Sequence, residues 1–327
     1  MSHIEEIRNR AAVLQKKVLL PEAGQDIRVL KAAEILDREK LAFPVLLGDR
    51  NTITEQFKEN MLHLSTGIEI RPVDDPANRD EIYLFFKEKL SHKNLSEEEV
   101  RSLCLNPLFC AGWMLTNNLG DTAVGGSVAS TSDVIRAALR TVGVSKESSL
   151  VSSTFLMEMK NGQVFSYADC AVVPYPDAGQ LASIAIDTGH THKKLTGKDP
   201  VIAFLSFSTH GSARHERVDL VKEAFEIARK KQTDWVMDGE LQFDTAYLPE
   251  VAQRKAPGST AAGKADVYIF PNLDAGNIAY KITERMGGAT ATGPVLQGLS
   301  KPFMDLSRGC SVDDIVNAAC VGVLLGS

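Results

Sequence analysis

The stretch KVLLPEAGQDIRVLKAAEILDREKLAFPVLL, residues 17–47, decides the fold class. Lys17–Pro21 is a short apolar run closed by proline, and it reads as a strand. Asp26–Arg38 carries Ile27, Leu30, Ala33 and Ile35 at helical spacing with polar residues between them. Phe43–Leu47 is apolar again and stops at Gly48. Strand, helix and strand within about thirty residues form a βαβ unit, whose two strands run parallel. The pattern returns at Val201–Phe207, followed by a helical stretch over His215–Lys231 and the strand Trp235–Asp238. Val267–Phe270 is another buried strand before a helix. The chain therefore reads as α/β and doubly wound, with mainly parallel sheets.

The chain has 327 residues, a length that suggests about two domains. It can bury a sizeable core without disulfide or metal staples. Apolar residues make up 44% and charged residues 24%, which excludes a disordered, collagenous or coiled-coil chain. Thirty-six basic against 42 acidic residues leave a net charge of −6. No bulk basic field is available for nucleic acid, so an anionic substrate needs locally placed Arg and Lys. Five cysteines without a CxxC pair fit a reducing compartment. The start, MSHIEEIRNRAAVLQKK, has no apolar core of a signal peptide. No apolar run approaches the ~20 residues of a membrane span. The expected location is cytoplasmic, with no membrane partner.

Val144–Leu150 is polar and Ser-rich and marks the best domain break. It follows a helix over Asp133–Arg140 with Ser132 as its expected N-cap. A second crossover is expected near Thr292–Pro294. Beyond it lie a Pro-bounded loop and one helix, too little for a separate unit. The expected organisation is a first α/β domain of residues 1–147 plus 297–327, with residues 148–296 inserted as a second.

Several motifs are decoys. Gly258–Ala265, GSTAAGKA, matches GxxxxGK but has Ala where a P-loop needs Ser or Thr, and a strand follows it instead of a helix. His190 and His192, two apart on a helix, point to nearly opposite sides and cannot share an ion; a solvated helix is the simpler reading. No HExxH, GxSxG or GxGxxG occurs, so neither a metal nor a nicotinamide cofactor is expected.

Three stretches place reactive polar residues at strand ends. Gly125–Arg136, GGSVASTSDVIR, leads small residues and hydroxyls, Ser127 and Thr131 among them, into a helix with Arg136 one turn inside. It reads either as a capped surface helix or as an anion site, since free N–H groups and a guanidinium both attract anions. Ser206–Ala213, SFSTHGSA, is a loop after a buried strand, where α/β proteins bind ligands; taken alone it reads first as a strand-to-helix turn with Ser212 as N-cap. The densest stretch is Val267–Asp314. It contains PNLDAGNIAYK (271–281), the Gly-rich tract GGATATGPVLQG (287–298) and KPFMDLSRGCSVDD (301–314). The final helix is expected from about Ser311, and Ser311-Val-Asp-Asp314 approximates a capping box. Ser307, Arg308 and Asp314 then crowd one helix N-terminus, which is more than capping requires.

PNLDAGNIAYK, GPVLQGLSKPFMDLSRGCSVDDIV (293–316), SFSTHGSA, DGELQFDTA (238–246) and LLPEAGQDIRVLKAAEIL (19–36) together closely resemble the phosphate acetyltransferase (phosphotransacetylase) family, the phosphate acetyl/butyryltransferases. The resemblance runs from about Lys17 to the C-terminus, with the blocks in the family's order. It implies reversible transfer of an acetyl group between coenzyme A and phosphate. The alternatives are a phosphate butyryltransferase, a dehydrogenase of shared architecture, or a regulator that binds CoA or acetyl phosphate without turnover. It implies two α/β/α domains of isocitrate/isopropylmalate dehydrogenase-like architecture, with the active site in the cleft between them. It also implies a homodimer acting on acetyl-CoA, acetyl phosphate and phosphate, with CoA as a substrate and no cofactor. The family's Ser-Arg pair matches Ser307 and Arg308, its proposed general base matches Asp314, and the Arg of its TxR-type helix start matches Arg136. The Lys after Asn-Ile-x-Tyr matches Lys281, with Asn277 and Tyr280 in the same motif. Ser127 and Thr131 join the substrate-binding set. Where the family often has Arg in an LRKHKG stretch, this chain has Lys89 or Leu90. Its DADG-like turn reads GDTAVGG (120–126).

The implied mechanism is direct attack of the CoA thiol on acetyl phosphate in a ternary complex. Asp314 would take the thiol proton, Arg308 and Arg136 would hold the phosphoryl oxygens, and Ser307 would bond the thiol or the developing oxyanion. Cys310 offers the rival route through an acyl-cysteine.

Overall fold

A computed structural model describes residues 2–327. The chain opens with helix α1 (His3–Leu14), β1 (Lys17–Leu20), α2 (Ile27–Arg38), β2 (Phe43–Leu47), α3 (Arg50–Glu59) and β3 (Glu69–Arg71). Helices α4 (Arg79–Lys89), α5 (Glu97–Cys104) and α6 (Pro107–Thr116) follow, then β4 (Thr122–Gly125) and α7 (Thr131–Thr141). The middle runs β5 (Ser152–Glu158), β6 (Val164–Ala168), α8 (Ala178–Thr196), β7 (Val201–Leu205), α9 (Glu216–Lys231) and β8 (Val236–Leu241). It continues with α10 (Phe243–Tyr247), α11 (Pro249–Lys255), β9 (Val267–Ile269), α12 (Leu273–Arg285) and β10 (Thr290–Gln297). The chain ends with β11 (Phe303–Asp305) and α13 (Val312–Leu325). Two compact units result: His3–Ser145 with Leu299–Ser327, and Lys146–Gly298.

The first unit holds a five-stranded sheet in the order β11-β4-β1-β2-β3, every pair parallel. The βαβ unit of residues 17–47 supplies its centre. β1 buries Val18, Leu19 and Leu20 completely, as a strand covered on both faces must. Helix α13 buries an almost continuous run from Ala319 to Leu324 and packs on α1, α2 and β4. On the other face Phe86, Phe109, Trp113, Val134 and Phe303 close a core with Leu19 and Ala123. Because β11, β4 and β1 are parallel neighbours, the segments after their C-terminal ends lie side by side: residues 306–311, 126–130 and 21–26.

The tail after Gly298 contains more than the expected loop and helix. Phe303–Asp305 pairs with Ala123–Gly125 as an edge strand; three residues between a proline and a loop give too short a pattern to read. Helix α7 begins at Thr131, and its N-cap is Ser130, not Ser132; the Ser130 hydroxyl accepts from the Asp133 N–H at 3.2 Å.

The second unit holds a six-stranded sheet in the order β10-β5-β6-β9-β7-β8. The pairs β6–β9, β9–β7 and β7–β8 are parallel. β5 runs antiparallel to both β6 and β10. The crossover does not fall at Thr292–Pro294: residues 290–297 of the Gly-rich tract are β10, and the chain changes unit between Gly298 and Leu299. Helix α9 is capped by His215, whose Nδ1 accepts from Arg217 N at 3.1 Å, and not by Ser212. Helix α8 is not a solvated helix either. His192 is fully buried against the Ser166 hydroxyl, 2.9 Å from Nδ1, while His190 packs edge-on against Trp235.

Asp187 of α8 is buried, accepts from the Ser148 hydroxyl at 2.6 Å, and has no partner for its second oxygen. Burial pushes its carboxyl from 3.8 up to about 6. The native state thus holds this proton more tightly than the unfolded chain. The group's stabilising contribution is full below the ordinary carboxylate value and is lost as pH rises through about 6. Asp187→Asn is expected to melt above wild type at pH 7.5, with the gap closing below pH 4. Melting curves at both pH values check this, and a pH-independent gap contradicts it.

Candidate functional site at the strand ends of the first unit

The segment 306–311 follows β11 and feeds α13. Ser307 and Arg308 are exposed. The Ser307 hydroxyl accepts from Gly309 N at 3.3 Å and has no other hydrogen bond among the described residues. Among the described residues the Arg308 guanidinium makes no hydrogen bond or ion pair, whereas its backbone carbonyl is held by Arg28. A cation left unpaired at a helix N-terminus is available to an anion.

Asp314 sits in the first turn of α13. A full capping box is present: Ser311 Oγ accepts from Asp314 N at 3.1 Å, and Asp314 Oδ2 accepts from Ser311 N at 2.8 Å. The structural role read from S-x-x-D is therefore real. It uses one carboxylate oxygen and leaves Oδ1 without a hydrogen-bond partner among the described residues, on an exposed side chain. The helix start is braced from behind by Arg8 of α1, which donates to Asn317 Oδ1 at 2.8 Å and Asp313 Oδ1 at 3.0 Å.

Gly125–Arg136 lies beside this loop but is already filled. The buried carboxylate of Glu22 accepts from the N–H groups of Gly126, Ser127, Val128 and Ala129 at 2.7–3.2 Å, and from the Ser127 hydroxyl at 2.9 Å. The N–H groups that suggested an anion site hold the protein's own anion. Gly126, at φ +103°, permits this path: a Cβ there would lie 2.7 Å from both Asp305 Oδ1 and Leu306 O. Ser127 is consequently buried with its hydroxyl spent on Glu22. Thr131 donates to Asp305 Oδ2 at 2.7 Å. Arg136 is half-exposed and donates to Asp133 Oδ1 at 2.6 Å on its own helix. That bond and the stronger one from Ser130 hold the Asp133 carboxyl below its ordinary value.

Four residues that the pattern reading passed over organise these loops: Glu22, Asp26, Arg28 and Asp305. Arg28 donates from Nε and Nη2 to Asp26, from Nη2 to Ser127 O at 3.0 Å, and from Nη1 to Arg308 O at 3.0 Å and Cys310 O at 2.6 Å. One guanidinium thus ties the segments after β1, β4 and β11. Burial raises the Asp26 carboxyl, but the bonds from Arg28 outweigh it and hold the group below its ordinary value. Asp305 is buried with Oδ1 unpartnered; burial first, then the charge of Glu22, pushes it up to about 6. The signal in PEAGQDIR was an acid and a base two apart at a helix start after a Pro-closed strand. The helical spacing of Asp26–Arg38 masks it.

Asn277, Tyr280 and Lys281 share α12 in the second unit. Asn277 Nδ2 donates to Cys170 O at 3.0 Å, and Tyr280 stacks on Phe155 with centroids 4.1 Å apart. Both are engaged in holding the helix. Lys281 is exposed, its Nζ 5.9 Å from the Tyr280 ring centroid. The Ser206–Ala213 loop repeats the Glu22 device: Glu240 accepts from Ser208 Oγ and Gly211 N, both at 2.8 Å. At the family's Arg position, Leu90 is buried and ends α4, whereas Lys89 is exposed with its Nζ over the Phe85 ring. Among the described residues no group of three or more His, Cys, Asp or Glu is placed to hold a metal ion. No helix among them is long and apolar enough to cross a membrane.

The sheet orders define a two-unit α/β protein with mainly parallel sheets and an exposed cation at the start of α13, and comparison with known proteins gives the family. The model of the phosphate acetyl/butaryl transferase family matches residues 2–323. A phosphate acetyltransferase from Thermoanaerobacterium thermosaccharolyticum is 41% identical, over 97% of each chain. The crystal structure of a phosphotransacetylase from Streptococcus pyogenes superposes with a TM-score of 0.94 at 36% identity, covering 99% of this chain and 98% of that one. This chain belongs to the phosphate acetyl/butaryl transferase family. A 4-hydroxythreonine-4-phosphate dehydrogenase from Klebsiella pneumoniae shares the fold alone, with a TM-score of 0.56 at 10% identity over 96% of this chain and 100% of that one.

Proposed function

We propose that this chain catalyses acetyl-CoA + phosphate = CoA + acetyl phosphate, by direct attack of the CoA thiolate on acetyl phosphate. The observation that carries this reading is the Arg308 guanidinium, unpaired at the start of α13 beside Ser307 and Asp314. The names of the relatives, at 41% identity and below over nearly the whole length, supply the acetyl group and phosphate; CoA as the carrier is what the family resemblance implies. Arg308 binds the phosphoryl oxygens, Asp314 Oδ1 receives the thiol proton, and Ser307 donates to the oxygen that gains charge. Lys281 and Arg136 add anion contacts; Arg136 must then exchange Asp133 for substrate. Residues 1–147 with 297–327 form the domain carrying this loop, and 148–296 the inserted one. The enzyme works in the cytoplasm as a homodimer, without a cofactor. Ile278, Ile282 and Met286 along α12 are exposed at helical spacing, an apolar stripe suited to a second copy.

Absorbance of the thioester on mixing CoA and acetyl phosphate tests the activity. Acetyl-CoA formation is expected, faster than butyryl-CoA formation from butyryl phosphate; the reverse order makes the chain a phosphate butyryltransferase.

Cys310 is buried, and burial pushes its thiol above the ordinary range against the opposing pull of Arg28. A thiol so placed is a poor nucleophile. Its bond to Arg28 is made by the backbone carbonyl, which alanine keeps. Cys310→Ala is therefore expected to retain activity within about tenfold. An acetylated enzyme trapped from radiolabelled acetyl phosphate, and lost in Cys310→Ala, would overturn the direct route.

A further inference from the structure

Glu22 is fully committed to one loop, and that loop is wired to the backbone of the phosphate-binding residue. Its Oε2 takes Gly126 N, Ser127 N and Ser127 Oγ, and its Oε1 takes Val128 N and Ala129 N. The carbonyl of the same Ser127 accepts from Arg28, and Arg28 donates onward to the carbonyls of Arg308 and Cys310. Glu22 is buried at 3% exposure, and its five hydrogen bonds all go to loop Gly126–Ala129, none to the Arg308 side chain. Five donors converging on a buried carboxylate fix a loop more tightly than a neutral acceptor can. We propose that Glu22 is a positioning residue for phosphate: it sets loop Gly126–Ala129, and through Ser127 O and Arg28 it sets the backbone from which the Arg308 guanidinium projects. The proposal rests on the reading of Arg308 as the phosphate contact.

An alternative role as a loop staple for stability alone makes a different kinetic prediction. Glu22→Gln keeps the shape but turns one oxygen into a donor, facing N–H groups that then have no acceptor. If Glu22 acts through Arg308, relaxing that loop displaces the guanidinium by a fraction of an ångström or more, and the cost disappears once the guanidinium is gone. The test is a double-mutant cycle on kcat/KM for phosphate, at saturating acetyl-CoA, over wild type, Glu22→Gln, Arg308→Ala and the double variant. Glu22→Gln is expected to lower kcat/KM roughly ten- to a hundredfold in the wild-type background. It should lower it less than about twofold on top of Arg308→Ala. The same factor in both backgrounds overturns the relay and leaves Glu22 as a staple. Wild-type kcat/KM in Arg308→Ala itself overturns the phosphate reading, and the relay with it. Arg28→Lys guards against a Glu22→Gln protein that does not fold. It leaves the five bonds of Glu22 intact but removes the fork spanning Ser127, Arg308 and Cys310. It should show the same non-additivity, and a multiplicative effect overturns the proposal independently.

Discussion

Arg308→Ala is expected to lower kcat/KM for phosphate by roughly 10²–10³, the loss typical of removing one preorganised donor from a developing negative charge. The side chain is exposed and has no hydrogen bond or ion pair among the described residues, so its loss strands no buried charge and the melting temperature should hold. Arg308→Lys should recover little of the rate. A lysine restores the charge but not the planar fork that grips two phosphate oxygens at once. Steady-state kinetics in both directions, with melting curves alongside, measure this. Wild-type turnover and phosphate affinity in Arg308→Lys would rule out the clamp.

Asp314→Asn separates two roles that the structure shows to be compatible. As a cap, Asp314 uses only Oδ2, and asparagine can still place an oxygen there; the cost is at most about 1 kcal/mol. As a general base it needs the carboxylate itself, and turnover should fall by roughly 10²–10⁴. The reference values of a thiol and an aspartate, about 8.5 and 3.9, make complete proton transfer uphill by roughly 6 kcal/mol. Proton removal concerted with S–C bond formation lightens that demand. The deficit should shrink as pH rises toward the thiol's own pKa, because solvent then supplies more thiolate. Rate against pH for both proteins decides the matter. A variant that melts early yet turns over normally when folded would leave Asp314 a cap and nothing more.

The parts of the fold carried by local pattern were legible. The βαβ unit at residues 17–47 shows its strands and helix by period alone, and Ser311–Asp314 shows its cap by residue type at fixed spacing. What was lost depends on partners far away in sequence. β11 is three residues long and exists because β4 is its neighbour; nothing within Phe303–Asp305 says so. The tract at 287–298 is rich in glycine and threonine and looks like a loop, yet pairing with β5 makes most of it a strand. In the candidate site, the placement of Ser307, Arg308 and Asp314 at one helix start was legible from their spacing around the cap. Ser127 was misjudged for a physical reason: a loop full of free N–H groups invites an anion, and the carboxylate that answers comes from Glu22, more than a hundred residues away. Arg28 is hidden in the same way, as a polar residue on a regular helix whose bonds to the other two loops span 99 to 282 residues.

The central claim is that the acetyl group passes from phosphate to the CoA thiol without stopping on the protein. Exchange of radiolabelled phosphate into acetyl phosphate in the absence of CoA tests it most directly. Direct transfer predicts no label in acetyl phosphate until CoA is added, because no bond to the acetyl group is broken before the thiol attacks. Exchange without CoA at a rate comparable to turnover would contradict the account, and its disappearance in Cys310→Ala would assign the acyl group to that cysteine.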